Sequence, residues 1–128
     1  QMETPIYQNR NKLSAVVVDD WCSKYPELPL QYTFKHLGIL ANAAIDRAAR
    51  HGVTSIPEIC VFSSLMWLYG PTFDTHPRIN AILSSSLSEK EKIEMLLTRI
   101  PEQTWSKIDR DRDEGAWFED VLKRQENV

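Results

Sequence analysis

A chain of 128 residues and 14.8 kDa is long enough for one domain with its own core. Its 15 basic and 18 acidic residues leave a net charge of -3, which argues against a broad nucleic-acid surface. Two distant cysteines, Cys22 and Cys60, exclude a disulfide scaffold, and the 42% hydrophobic content excludes a disordered chain.

The N-terminal residues Gln1-Met2-Glu3-Thr4-Pro5 lack a basic stretch leading into an apolar run. No transmembrane stretch follows, so a cytoplasmic location with no membrane contact is expected. Residues 1–10 are polar and read as a flexible segment. A first helix is expected over residues 12–24, burying Leu13, Val16, Val17, Trp21 and Val18. Three consecutive valines favour strands, so a short strand over 14–18 is the alternative. Asp19-Asp20 point different ways on a helix and read as solvated. Both cysteines sit in apolar helical surroundings and read as buried free thiols, with a disulfide open in an oxidising compartment.

Pro26 and Pro29 mark a connector. A second helix then spans residues 30–51, with Phe34, Leu37, Ala41, Ala44, Ile45 and Ala48 inward. Its alanines permit close helix approach. Asp46 and Arg50 can pair outside at i,i+4. Arg47, Arg50 and His51 put positive charge near the helix end, where the dipole favours it. Gly52 suits the C′ position. This basic cluster serves as capping and solvation, or as a patch for an acidic partner.

Residues 54–70 read as the central helix. Ser55 and Glu58 form a potential capping box, Pro57 fits the first turn, and Gly70-Pro71 stops the helix with Gly70 left-handed. Ile59, Phe62, Leu65, Met66 and Tyr69 recur at helical spacing, while Val61, Leu68 and Trp67 widen the apolar coverage.

Next comes the most distinctive loop, Pro71-Thr72-Phe73-Asp74-Thr75-His76-Pro77-Arg78. Phe73 can anchor it. Asp74 can accept backbone N–H bonds, cap the helix opened by Pro77, or pair with Arg78. Asp74, His76 and Arg78 form the alternative, an exposed recognition feature. Ile79, Ile82 and Leu83 belong to the short helix, ended by Ser84-Ser85-Ser86. Ser88 and Glu91 complete a capping box before Ile93, Leu96, Leu97 and Ile100. Pro101 marks a new start. Trp105, Ile108, Trp117, Val121 and Leu122 suggest one or two further helices, bent near Gly115. The pattern predicts an all-α fold: a compact bundle of five or six helices with short connectors. One domain covers residues 11–125, with a frayed end over 126–128.

Asp74 and His76 lack a third metal ligand. Asp109, Asp111 and Asp113 mimic the start of a calcium loop, but Glu114 stands where the glycine belongs and Asp120 where the final glutamate does. No phosphate-binding glycine loop, HExxH or GxSxG occurs. No catalytic, metal or cofactor residues are therefore assigned, and no enzymatic activity is expected. Aromatics and arginines are common interface anchors, which makes Trp105, Trp117 and Phe73 candidates for a binding face.

Ala48-Ala49-Arg50-His51-Gly52-Val53-Thr54-Ser55, Ile59-Cys60-Val61-Phe62, Leu65-Met66 and Gly70–Arg78 together carry a resemblance. Residues 30–83 resemble a small helical family encoded in bacterial type VI secretion gene clusters, beside spike-associated adaptors, effectors and immunity proteins. His76 departs from the acid expected there in many relatives. The resemblance implies no catalytic residues. It implies a non-enzymatic accessory factor, a chaperone or co-adaptor that captures a secretion effector or adaptor. An immunity protein that occludes a toxin is the runner-up, and a small helical enzyme is a third class. Possible homo-oligomers accompany these readings. The candidate protein-binding residues are Arg47, Arg50, His51, Phe73, Asp74, His76, Arg78, Trp105 and Trp117.

Overall fold

A computed structural model describes the backbone of residues 6–118 and the side chains of residues 10–117. The described chain is all-α, with seven α-helices: α1 Ile6–Lys24, α2 Leu28–Gln31, α3 Phe34–Arg50, α4 Ile56–Tyr69, α5 Pro77–Leu83, α6 Glu89–Thr98 and α7 Glu102–Arg110. Two 3-10 segments, Phe73–Thr75 and Glu114–Phe118, complete it. The expected count of five or six is close. Val121, Leu122 and the end over 126–128 lie outside the described residues.

The first helix begins at Ile6, earlier than expected, and runs through the three valines. Val17 and Val18 are buried and Val16 is exposed, so burial overrides strand propensity at 14–18. Helices α1 and α3 run in opposite directions. Arg10 pairs with Asp46 at 2.8 Å, and Ser14 Oγ donates to the Gly38 carbonyl farther along. Gly38, Ala41, Ala44 and Ala48 keep side-chain bulk low on α3, and the three alanines are fully buried.

The expected single helix over 30–51 is two. Tyr32 is extended and ends α2; Thr33 then caps α3 by accepting the His36 N–H at 3.0 Å. This restart turns Phe34 outward, and it is 68% exposed rather than part of the inward face. At the other end, the Gly52 N–H reaches the Ala49 carbonyl and the Val53 N–H reaches the Ala48 carbonyl. With Gly52 at φ 77°, these bonds form a Schellman motif, as its sequence position suggested.

Helix α4 occupies the centre, packed on α1, α3, α6, α7 and the Phe73–Thr75 turn. Ile59, Phe62, Leu65 and Met66 are buried, as expected. Its start differs from expectation. Ser55 makes no side-chain cap bond; the Glu89 carboxylate of α6 accepts the Thr54 and Ser55 N–H groups at 3.0 and 2.8 Å. A distant acid thus supplies what a local capping box would have supplied. Its end also differs. Gly70 adopts φ 108° and ψ 154°, an extended mirror-image conformation rather than the left-handed helical one.

Pro77 opens α5, with Ile79 and Leu83 buried. The Ser88–Glu91 capping box forms as read. On α6, Ile93 and Leu96 are buried but Leu97 is 58% exposed, so this helix buries a narrower face than its sequence offers. After Pro101, α7 buries Ile108, and the Gly115 bend falls inside the second 3-10 segment. Among the described residues no helix is long and apolar enough to cross a membrane.

Candidate functional site

The distinctive loop is tied down by a hydrogen-bonded triad. Asp74 is buried, and Arg47 Nε on α3 donates to its two carboxylate oxygens at 2.9 and 2.8 Å. His51 Nε2 lies 2.8 Å from Asp74 Oδ2, so that nitrogen carries the proton. Sequence reading placed Arg47 and His51 near the end of their helix, as capping and solvation or a patch for an acidic partner, and gave Asp74 only local partners. The structure brings the three together across more than 20 residues of chain. A carboxylate at a 3-10 turn and an arginine and a histidine one turn apart at the end of another helix carry no joint sequence signal.

Burial by itself raises the Asp74 pKa. Hydrogen bonds from His51 and Arg47, together with the Arg47 and His51 charges, outweigh that effect and hold the carboxyl below its ordinary range. An Asp–His pair could orient a nucleophile. Among the described residues, however, no serine, threonine or cysteine side chain bonds His51. The His51 ring packs on Phe62 instead, and Phe62 packs on Phe73 at 5.0 Å. This triad fastens the loop to α3.

Helix α6 closes the same region from outside. Lys92 Nζ donates to the His51 carbonyl at 3.1 Å, at the C-terminus of α3. Three residues earlier, Glu89 caps the N-terminus of α4. One turn therefore sets a cation on the negative end of one helix and an anion on the positive end of the next.

The remaining candidates separate by depth. Phe73 and Trp117 are 1% and 5% exposed, so they are core residues and not contact anchors. Asp74 is 3% exposed, which removes it from any surface recognition feature. It does not cap α5; His76 does, with Nδ1 accepting the Arg78 N–H at 3.2 Å. Trp105 is half-buried, stacked on Tyr69 at 4.4 Å. Arg50 and Arg78 are exposed.

Among the described residues no cluster of histidine, cysteine, aspartate or glutamate is arranged to hold a metal. In the stretch resembling a calcium loop, Asp109 pairs with Arg112 at 2.8 Å and Asp113 accepts the Gly115 N–H. Both cysteines are free and half-buried rather than fully buried. Burial raises both thiol pKa values, with Asp19 adding to the effect at Cys22 and Asp20 at Cys60, so neither is an activated nucleophile.

The apolar surface that sequence reasoning missed lies at the α2–α3 junction. Leu30 is 88% exposed, Phe34 68% and Tyr32 37%, all within five residues. Tyr32 is braced: it stacks on His36 at 5.2 Å and meets Trp67 edge-on at 6.0 Å. The available signal was Thr33 as a helix cap three residues before His36. It marks a restart that turns Phe34 outward.

Comparison of the chain with protein-family models, curated proteins and solved structures finds no match in any of the three.

Proposed function

We propose that this chain is a non-enzymatic accessory factor that binds another polypeptide through the Leu30–Tyr32–Phe34 ridge. The carrying observation is that ridge: three large apolar side chains exposed in five residues, on a helix junction braced by Thr33 and Trp67. Exposed aromatic and aliphatic side chains on a rigid support are the usual anchors of protein interfaces. Pre-organisation also limits the entropy lost on binding.

The partner class follows from the resemblance of residues 30–83: a type VI secretion effector or its loading adaptor. The factor then acts as a stoichiometric chaperone or co-adaptor, covering a partner surface before secretion. Exposed Arg78 lies outside the ridge and can meet acidic residues of the partner.

Co-expression with an effector and its adaptor, followed by purification on one partner, tests this reading. A stoichiometric complex is expected with the wild-type chain and is lost in Leu30→Asp and Phe34→Asp, whose folding is unchanged. Capture unaffected by both substitutions removes the ridge from the interface. Neutralisation of an already folded toxin, without any effect on effector accumulation, would transfer the assignment to the immunity class.

A further inference from the structure

A second, polar feature lies away from the ridge. Between the Phe73–Thr75 turn and α7 is a hollow of about 250 Å3, floored by Ile108 and ringed by Thr72, Thr75, His76, Lys107 and Asp111. That is below the roughly 300 Å3 at which drug-sized pockets begin, so it suits a small molecule.

Its chemistry is two-signed. Lys107 and Asp111 stand one turn apart on α7, with Cβ atoms about 5–6 Å apart by helix geometry. Among the described residues neither side chain has an ion-pair or hydrogen-bond partner. Lysine preceding the acid is the weaker orientation for such a pair, which leaves both charges available. His76 Nδ1 accepts the Arg78 N–H, so its ring proton lies on Nε2, the second donor of the hollow. Thr75 Oγ1 donates to the Thr72 carbonyl at 2.8 Å and keeps its lone pairs as acceptors. Asp111 is the C-cap of α7, where the helix dipole favours a cation rather than the carboxylate alone.

We infer that this hollow binds a small zwitterion of the α-amino-acid type. Its carboxylate meets Lys107 Nζ and the His76 Nε2–H. Its ammonium meets Asp111 and the negative end of α7, with Thr75 Oγ1 as a further acceptor. Neither charge of the ligand is left unpaired. A simple anion would face Asp111, and a simple cation would face Lys107.

Amide-resonance titration of the full chain with L-serine and L-leucine tests this assignment, with acetate and methylammonium as half-ligands. Saturable shifts are expected over residues 72–77 and 107–111, with each half-ligand at least about tenfold weaker, the loss of one charge-assisted contact. Lys107→Met and Asp111→Asn, both at exposed positions that leave the fold intact, are each expected to weaken amino-acid binding by a similar factor. Absence of shifts up to about 50 mM overturns the inference, since no useful affinity remains there. So does acetate binding as well as L-serine, which marks a plain anion site, or wild-type affinity in both variants.

Discussion

Gly70 lies against Arg112. A Cβ added to Gly70 would stand 2.7 Å from the Arg112 Cβ and 3.3 Å from its Cα, and the Gly70 φ of 108° already excludes most side chains. That close approach places the guanidinium beneath the end of α4. There it donates to the Trp67 carbonyl at 2.8 Å and the Leu68 carbonyl at 3.2 Å, while holding Asp109 at 2.8 Å. One glycine and one arginine thus join the central helix to the segment after α7.

Gly70→Ala is therefore expected to be among the more damaging small substitutions. Positive-φ strain and overpacking against a neighbouring backbone together cost about 2–4 kcal/mol. Thermal unfolding should show a midpoint lowered by roughly 10 °C. Arg112→Gly removes the Cβ clash but also the bonds to Trp67, Leu68 and Asp109, so the double variant should lose less than the sum of the two single changes without returning to wild type. A midpoint within a degree or two of wild type would mean the Gly70 backbone is not held as described.

Breaking the buried triad has a different signature. Arg47 and Asp74 side chains are 14% and 4% exposed, so removing one leaves the other charge stranded. Asp74→Ala or Arg47→Met alone should each destabilise by about 3–5 kcal/mol, and the double substitution by much less than the sum. Denaturant titrations of the four proteins provide the cycle. Additive losses would show that the two side chains are not coupled.

The same carboxylate governs acid sensitivity. Asp74 has a folded pKa below its unfolded value, so its contribution is fully present above the unfolded carboxyl value of about 3.9 and is lost as pH falls through the lower folded value. Asp74→Asn should flatten the fall in stability over that acidic window while lowering stability near neutrality. Parallel wild-type and variant curves below pH about 4 would contradict the triad's ionisation.

Capping supplies a comparison between a local and a distant residue. Glu89 bonds the Thr54 and Ser55 N–H groups, whereas the Ser55 side chain makes no cap bond. Glu89→Ala should cost about 1 kcal/mol, and Ser55→Ala less. The reverse ranking in urea unfolding would restore the local cap.

Phe34 and Phe62 provide a test of depth. Phe62→Ala, at a residue with 0% exposure, should cost about 3–5 kcal/mol. Phe34→Ala, at 68% exposure, should stay within about 0.5 kcal/mol. Equal losses would place Phe34 in the core after all.

The sequence by itself determined the helical class, the central role of α4, the stops at Gly52 and Gly70, the opening of α5 at Pro77 and the Ser88–Glu91 box. Each is local: a period of 3.6 residues, a missing N–H, a positive φ or a hydroxyl three residues from its partner. Only the tertiary structure decided that Glu89 caps α4, that Arg112 closes it, and that Arg47 and His51 meet Asp74. It also turned Phe34 outward and put Phe73 and Trp117 inside. Charge pairing and burial depend on which helices pack together, and that follows from the whole core rather than from any short stretch of chain. Phe73, Asp74 and Trp117 went inward for this reason: an aromatic or an acid looks the same in one dimension whether it faces a partner or the protein's own interior.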